Sequence, residues 1–187
     1  MIYETKAQLR KAVKKEISLL PDDYLAASDE GIYHQVTSLK EFVDAGNIMI
    51  YYSVEREPTT YKIAHAAIEM GKTVAFPLCY REGIMEARVV SSFDDFKPSI
   101  IGIPSPPETA PKIAPQELDL ILVPALAYDF YGYRLGLGGG YFDRYLQGLE
   151  VFTAGLAREC LIRDSLPCEP HDIPVNCIVT EERVLRF

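Results

Sequence analysis

A short apolar strand that runs into a glycine-rich loop is the feature that most restricts the fold of this chain. Leu120–Val123 is a continuous apolar run, typical of a strand buried on both faces of a parallel sheet. Five of the nine residues from 132 to 140 are glycine, and a helix is predicted over residues 140–149. Glycines let backbone N–H groups converge on one point, and a helix N-terminus adds a dipole that favours an anion. The segment therefore predicts a strand–loop–helix unit that binds phosphate.

Predicted strands and helices alternate along the rest of the chain. Further strands are predicted at residues 48–52, 73–78, 84–90, 151–157 and 176–180, the third of these as an edge or hairpin strand. A first helix opens at Thr5 and is closed by Pro21, and two more are predicted at residues 24–43 and 60–70. This order predicts one α/β domain over residues 1–187, a three-layer α/β/α arrangement with a mainly parallel sheet.

The first predicted helix carries a basic face. Thr5 and Gln8 match a capping box, and an apolar stripe at helical spacing follows them. Five of the ten residues from Lys6 to Lys15 are cations. This pattern is typical of a solvated basic face. In a chain with a net charge of −8 it also fits a patch that faces phosphate.

Composition and charge exclude several classes of function. With a net charge of −8, the 187-residue chain is not expected to bind nucleic acid through its backbone phosphates. It has no run of 18 apolar residues, so we expect no membrane span, and its first residues lack the apolar stretch of a signal peptide. The four cysteines have no paired spacing, which favours packing roles in a reducing cytoplasm. The three histidines form no metal-ligand pattern.

Six of the 13 prolines fall between residues 98 and 115. Such a density is typical of a domain linker or of a rigid surface connection. Because Ile100, Ile101 and Ile103 lie among these prolines, we predict a packed connection between strands.

The residues around the glycine loop are more informative than the loop itself. The loop lacks the Lys-Ser/Thr ending of a P-loop and follows a late strand, unlike a dinucleotide-binding fingerprint. An ordinary tight turn would explain the same glycines. However, residues 123–146 read VPALAYDFYGYRLGLGGGYFDRYL. This segment resembles the signature of the 5-formyltetrahydrofolate cyclo-ligase family, also called the methenyltetrahydrofolate synthetases.

Three other segments are similar to the same family. Lys6 and Arg10 match its Lys-x-x-x-Arg start. Residues 53–60, with the later Gly-Lys at residues 71–72, match its Glu-x-x-Thr and Gly-Lys region, and residues 169–172 match its (Glu/Pro)-x-His-Asp segment. Because the four matches keep the family's order, the resemblance covers nearly the whole chain.

The resemblance implies an enzyme that uses ATP and Mg²⁺ to act on 5-formyltetrahydrofolate. In that reaction the formyl oxygen is phosphorylated and N10 then attacks the resulting iminium-like carbon. The products are 5,10-methenyltetrahydrofolate, ADP and phosphate. The resemblance also implies a CoA-transferase-like α/β fold and a cytoplasmic protein. We expect a monomer or weak dimer, with no nucleic-acid or membrane partner.

Roles for individual residues follow from the same resemblance. Arg134 and Arg10 would be the catalytic residues, since guanidinium groups fork between anionic oxygens. Asp143 and Asp172 would hold Mg²⁺, a cation that prefers carboxylate, phosphate and water oxygens. Glu57 would bind the pterin ring through both carboxylate oxygens. The residues implied for ATP are Lys6, Arg10, Arg134, Leu135, Gly136, Leu137, Gly138, Gly139, Gly140, Tyr141 and Phe142. Those implied for folate are Arg10, Tyr52, Glu57, Gly138, Gly139, Gly140 and Tyr141.

Several of these residues also have a plainer interpretation. Asp143 alone would offset a helix dipole, Asp172 would form a turn, and Glu57 would be a solvated loop residue. Tyrosines near the loop could stack on a ligand ring or simply cover the core, namely Tyr128, Tyr131, Tyr133 and Tyr141. Leu137 departs from the family pattern, in which many relatives carry a basic or aromatic residue, and this puts substrate affinity in question.

Two rival functions remain open from the sequence. One is a folate- or nucleotide-binding protein of the same fold without turnover. The joint presence of Glu57, Arg134, Asp143 and Asp172 disfavours it. The other is a sugar-phosphate isomerase, which would need no nucleotide and would leave the basic first helix unexplained.

Overall fold

The centre of the fold is an eight-stranded sheet in the computed structural model, which describes residues 5–187. The helices are α1 (Lys6–Ser18), α2 (Asp22–Ser38), α3 (Lys40–Asp44), α4 (Tyr61–Glu69) and α5 (Tyr141–Leu146). The strands are β1 (Asn47–Met49), β2 (Thr73–Cys79), β3 (Met85–Val90), β4 (Lys97–Pro98), β5 (Pro104–Ser105), β6 (Lys112–Ile113), β7 (Leu120–Val123), β8 (Ala127–Asp129), β9 (Arg134–Leu135), β10 (Phe152–Leu156), β11 (Ile162–Arg163), β12 (Cys177–Val179) and β13 (Val184–Arg186).

The predicted mainly parallel sheet is confirmed. Its strand order is β13–β12–β10–β7–β1–β2–β3–β6. The five strands from β12 to β2 are parallel, and β13, β3 and β6 run antiparallel to their neighbours. As expected, β3 forms a hairpin with β2. The parallel strands bring their carboxyl ends to one edge of the sheet, where ligands bind in open α/β folds.

Alternation along β7 separates two apolar clusters, one on each face of the sheet. Leu120 and Leu122 pack in a cluster that includes residues of α2, α3 and α4. Ile121 and Val123 pack in a second cluster that includes α5. All four side chains are fully buried, as a strand between two layers requires.

The small sheet β11–β8–β9 was not predicted, although it determines where α1 lies. Leu9 and Val13 of α1 are buried against Leu126, Ala127 and Leu135, beside this sheet. Its strands have two or three residues each, too few to give a periodic pattern.

Among the described residues, no helix has the length and apolar character needed to cross a membrane.

Several predicted boundaries were wrong. The helix predicted over residues 24–43 is two helices, because Leu39 adopts an extended conformation (φ −65°, ψ 130°) and is buried. The strand predicted over residues 48–52 ends at Met49, and the helix predicted over residues 140–149 ends at Leu146. Residues 176–180 were predicted as the last strand and hold β12, but the chain turns back after them as a further strand, β13. The first helix is closed before Pro21 as predicted, with its last residue at Ser18.

The proline-rich stretch is packed against the protein only in part, since Ser105 and Pro106 are buried but Ile100 and Ile101, on which the prediction rested, are exposed. It contains the β4–β5 hairpin and then β6, which joins the edge of the main sheet. Arg88 Nη1 donates to the carbonyls of Glu108 (2.6 Å) and Ala110 (2.8 Å) and so ties the stretch to β3. The hairpin reaches the cavity described below.

Candidate active site

A cavity of about 510 Å³ lies at the carboxyl ends of the parallel strands. Tyr51 and Tyr52 follow β1, Cys79 ends β2, and Pro124 and Ala125 follow β7, and all five line the cavity. Every residue predicted for the site except Leu135 lines it too. These are Lys6, Arg10, Tyr52, Glu57, Arg134, Gly136, Leu137, Gly138, Gly139, Gly140, Tyr141, Phe142, Asp143 and Asp172.

Leu135 is in the core instead. Its side chain is 1% exposed and packs with α1, so its backbone alone could approach a ligand. Tyr128 is also buried and donates its hydroxyl to the Val123 carbonyl (2.8 Å), which rules out stacking on a ligand. Tyr131 and Tyr133 do not line the cavity. Of the four tyrosines considered, Tyr141 alone remains in position to stack.

The glycine loop forms one wall of the cavity with unoccupied backbone donors. Gly138 (φ +105°) and Gly140 (φ +64°) adopt conformations that disfavour other residues. Among residues 5–187, the N–H groups of residues 137–140 have no hydrogen-bond acceptor. Gly140 is the N-cap residue that precedes α5, and no side chain caps that helix. A row of such N–H groups suits a phosphate.

Arg10 and Arg144 brace the glycine loop from two sides. Arg10 Nε donates to the Gly136 carbonyl (2.8 Å), and a Cβ on Gly138 would lie 3.3 Å from Arg10 Cζ. Arg144 donates to the carbonyls of Gly139 and Gly83 and lies over the Tyr141 ring. Arg144 was given no role in the sequence analysis.

Asp129 shapes the turn that leads into the loop. Its side chain is fully buried, and Oδ1 accepts the N–H groups of Tyr131 and Tyr133 (both 3.0 Å), while Oδ2 accepts that of Leu166 (2.9 Å). The three N–H donors satisfy both oxygens of this buried side chain. Asp129 therefore has a structural role in the β8–β9 turn.

Arg134 and Asp143 form an ion pair at the base of the glycine loop. Arg134 Nη2 lies 2.5 Å from Asp143 Oδ1, and Nη1 donates to the Ile173 carbonyl (2.6 Å). The Ile173 N–H donates to the same oxygen of Asp143 (3.3 Å). The guanidinium side chain is 5% exposed and the carboxylate 21%. The pair thus presents a fixed cation and a fixed anion at the cavity wall.

The basic face of α1 is divided between the cavity and the solvent. Lys6 lies 2.5 Å from Asp172, and both line the cavity. Lys11, Lys14 and Lys15 are exposed. Burial disfavours ionisation of Asp172, but the hydrogen bonds from Lys6 and from the Glu169 N–H outweigh it, so its pKa lies below the usual value. The solvated interpretation therefore holds for Lys11, Lys14 and Lys15, whereas a phosphate-facing role for Lys6 stays a prediction.

Glu57 is a partly buried carboxylate that lines the cavity. It stands on the loop that joins β1 to α4, and Oε2 accepts the Val54 N–H (3.0 Å). Burial raises the pKa of Glu57 to about 7, more than the Val54 hydrogen bond lowers it. The plainer interpretation, a solvated loop glutamate, is wrong. The carboxylate is available to pair with a ring that offers N–H groups.

An apolar wall completes the cavity and was not predicted. Ile101, Ile103 and Pro104 of the β4–β5 hairpin line it together with Met85 of β3. Leu137, which is 53% exposed, also lines it. No spacing rule brings a proline-rich hairpin to a site formed 30 residues later in the chain, so this wall could be found only from the fold.

Comparison with known proteins identifies the family. A sequence model of the 5-formyltetrahydrofolate cyclo-ligase family matches residues 2–181. The chain belongs to the 5-formyltetrahydrofolate cyclo-ligase family. The resemblance that the sequence suggested is confirmed, and the cyclo-ligase signature at residues 123–146 lies around the cavity.

Individual relatives match over nearly their whole length. A 5-formyltetrahydrofolate cyclo-ligase of Mycolicibacterium smegmatis is 28% identical, covering 98% of this chain and 97% of that protein. The NMR structure of the Aquifex aeolicus 5,10-methenyltetrahydrofolate synthetase superposes with a TM-score of 0.84 at 29% identity, covering 97% of this chain and 92% of that one. A synthetase from Mycoplasma pneumoniae, at 20% identity and a TM-score of 0.77, shares the fold.

Proposed function

We propose that this chain converts 5-formyltetrahydrofolate and ATP into 5,10-methenyltetrahydrofolate, ADP and phosphate. One observation carries the proposal. A single cavity joins a glycine loop with unoccupied N–H donors and three cations, Lys6, Arg10 and Arg134, to the partly buried carboxylate of Glu57. The first group suits phosphates and the second suits a pterin. The family and its named relatives support the same reaction.

The phosphate end would bind and orient ATP. The N–H groups of residues 137–140 would donate to phosphate oxygens, as oriented backbone dipoles do in other anion sites. Arg134 is held at two points by Ile173 and Asp143, so its charge is fixed in place before a substrate arrives. Fixed charges of this kind stabilise a phosphoryl transfer without reorganisation during the reaction.

The folate end would bind the pterin ring against Glu57. The carboxylate oxygens would accept hydrogen bonds from the amino and N–H groups of the ring, and Tyr52 lines the same cavity. The apolar wall formed by Ile101, Ile103 and Met85 would cover the rest of the folate. In this arrangement the formyl group points toward the glycine loop.

With ATP and folate bound in this way, the two chemical steps follow from how the substrates are positioned. The formyl oxygen attacks the γ-phosphorus, the bond to the β–γ bridging oxygen breaks, and ADP leaves. N10 attacks the activated carbon and loses its proton, and the carbon–oxygen bond breaks to release phosphate with the former formyl oxygen. Neither step requires a nucleophile from the protein, so binding, orientation and charge neutralisation account for catalysis.

Asp143 and Asp172 fit a magnesium ion that is shared with the nucleotide. No group of three or more His, Cys, Asp or Glu residues that could hold a metal occurs within residues 5–187. Mg²⁺ normally takes one or two carboxylates together with phosphate and water oxygens. Two carboxylates beside a phosphate cradle meet that requirement. When bound, the ion would neutralise charge on the phosphates.

The assay is product formation from the purified chain. With ATP, Mg²⁺ and 5-formyltetrahydrofolate, the absorbance of the conjugated methenyl product should grow, and omission of ATP should prevent growth. Binding of folate without growth would support the non-catalytic binder. Failure to bind either ATP or folate would contradict the proposal, and isomerisation of a sugar phosphate would identify the isomerase instead.

A further inference from the structure

Arg158 is the largest fully buried side chain of the described residues, at 1% exposure. Arg158 follows β10. The N–H of the preceding residue, Ala157, donates to the Val179 carbonyl of β12 (3.1 Å), so the backbone at Arg158 is held by the sheet. It does not line the cavity, and neither the family resemblance nor the reaction proposed above uses it. A buried cation is costly unless its donors are satisfied, so its contacts explain its presence.

The guanidinium joins α2 to the loop that carries Glu57. Nη2 donates to the carbonyls of Arg56 (3.1 Å) and Glu57 (3.2 Å), and Nη1 donates to the Leu25 carbonyl (3.3 Å). Nη2 also lies 2.9 Å from Asp29 Oδ1. The same Asp29 oxygen accepts the Thr59 N–H (3.3 Å). The ion pair therefore contacts the loop on both sides of Pro58.

We infer that Arg158 is a positioning residue that fixes the direction of the Glu57 carboxylate. The inference rests on the proposed function, in which Glu57 binds the pterin. Residues 53–60 contain no helix or strand, and Glu55 within them has a strained positive φ of 49°. A loop of this kind keeps one conformation only if its surroundings hold it. Two hydrogen bonds to adjacent carbonyls, from a side chain rooted in the sheet, supply that restraint.

An arginine is required because several acceptors must be reached at once. Its planar fork donates in fixed directions, whereas a lysine ammonium is a single flexible point. We therefore expect Arg158→Lys to keep the charge opposite Asp29 but to release the Glu57 carbonyl. Arg158→Met would release both carbonyls. Displacement of a binding group by about 1 Å can cost on the order of 100-fold in rate.

The test compares Arg158→Lys and Arg158→Met with the wild type in steady-state kinetics and in separate binding of ATP and of 5-formyltetrahydrofolate. In both variants we expect the KM and Kd for folate to rise by about tenfold or more and the Kd for ATP to stay unchanged. The rise should be smaller in Arg158→Lys than in Arg158→Met. Arg183→Met is the control, since Arg183 also pairs with a carboxylate, that of Glu159, but none of its hydrogen bonds reaches residues 53–60. It should leave both constants unchanged.

The pH dependence of folate binding separates positioning from general stability. If the loop loosens, Glu57 gains water, and the midpoint of pH-dependent folate binding should move to lower pH in the Arg158 variants. Equal losses of ATP and folate binding, or no loss, would contradict the inference. If Arg158→Met does not fold, the same binding and kinetic measurements would be made on Arg158→Lys and Asp29→Asn. A wild type that does not bind 5-formyltetrahydrofolate would overturn the proposed function itself, a result distinct from these.

Discussion

Lys6 Nζ lies 2.5 Å from Asp172 Oδ2, although 166 positions separate the two residues in the chain. Their side chains are 14% and 12% exposed. The pair joins the first turn of α1 to the segment that precedes β12, and both residues line the cavity. Lys6 Nζ also lies 3.6 Å from Glu169 Oε1, so two carboxylates of this segment hold the start of α1 beside the cavity.

Replacement of Asp172 by Asn should destabilise the protein in a pH-dependent way. The folded-state pKa of Asp172 is depressed, so its contribution is fully present above the unfolded value of about 4 and is lost as pH falls through the folded value. We expect Asp172→Asn to lower the free energy of unfolding by about 2 kcal/mol near neutral pH. Urea unfolding of both proteins at neutral and acidic pH measures this, and the difference should shrink in acid.

The control for this prediction is the exposed pair Lys40–Asp44 in α3. Its side chains are 80% and 57% exposed, and such a pair contributes about 0.5 kcal/mol or less. Asp44→Asn should therefore change the free energy of unfolding little. If Asp44→Asn cost as much as Asp172→Asn, burial of the Lys6 pair would not be what makes it stabilising.

Arg134→Lys should slow the reaction although the charge is kept. A lysine cannot donate to Ile173 and pair with Asp143 in the same geometry, so the cation would no longer be fixed beside the glycine loop. We expect kcat/KM for ATP to fall by about 10- to 100-fold. Arg163 also divides its donors between a carbonyl, that of Cys160, and a carboxylate, that of Glu16, outside the cavity. Arg163→Lys should retain wild-type kinetics, and wild-type kinetics in Arg134→Lys would make Arg134 structural.

Glu57→Gln should weaken folate binding and stabilise the protein at alkaline pH. Burial raises the pKa of Glu57 to about 7. Its contribution to stability is therefore present below the unfolded pKa and is lost as pH rises through about 7. Near pH 8 we expect Glu57→Gln to raise the free energy of unfolding by about 1–3 kcal/mol. Folate binding by the wild type should strengthen as pH rises through about 7.

Chemical unfolding and folate titration across pH provide both readouts. The exposed Glu69, at the end of α4, gives the matched control, and Glu69→Gln should change neither quantity. A Glu57→Gln variant that binds folate as the wild type does at every pH would show that this carboxylate does not bind the pterin.

Gly138→Ala should damage nucleotide binding more than stability. Gly138 has φ +105°, and an added Cβ would lie 3.3 Å from Arg10 Cζ, at the side of the phosphate cradle. Gly148 also has a positive φ (+75°) but open space around it. Gly148→Ala therefore introduces backbone strain without a steric contact. Both should lose about 1 kcal/mol of stability, while only Gly138→Ala should raise the KM for ATP. Equal ATP constants in the two variants would contradict a phosphate role for the loop.

Local signals in the sequence predicted those parts of the fold that neighbouring residues determine. The Thr5–Gln8 capping box begins α1 as expected, with both reciprocal hydrogen bonds present. The apolar run of β7 is fully buried. The break at Leu39 was missed because residues 24–43 have a continuous helical pattern, and the turn depends on how Leu39 and Phe42 pack in the core.

The features that could not be predicted from the sequence depend on contacts between residues far apart in the chain. Glu57 was a candidate from the resemblance alone, and its place in the cavity wall and its partial burial follow from the fold. Arg158 was overlooked because a charged residue after a strand is usually at the surface, and its partners Asp29 and Leu25 are more than 120 residues away. The apolar wall from Ile101 and Ile103 likewise depends on where the hairpin folds back.

The most direct test of the account is the fate of the formyl oxygen. The purified chain would be given ATP, Mg²⁺ and 5-formyltetrahydrofolate whose formyl oxygen is ¹⁸O, and the released phosphate would be analysed by mass spectrometry. Phosphorylation of that oxygen predicts one ¹⁸O atom in each phosphate released, in step with growth of methenyl product. Product formation with unlabelled phosphate would contradict the transfer of a phosphoryl group to the formyl oxygen in this cavity.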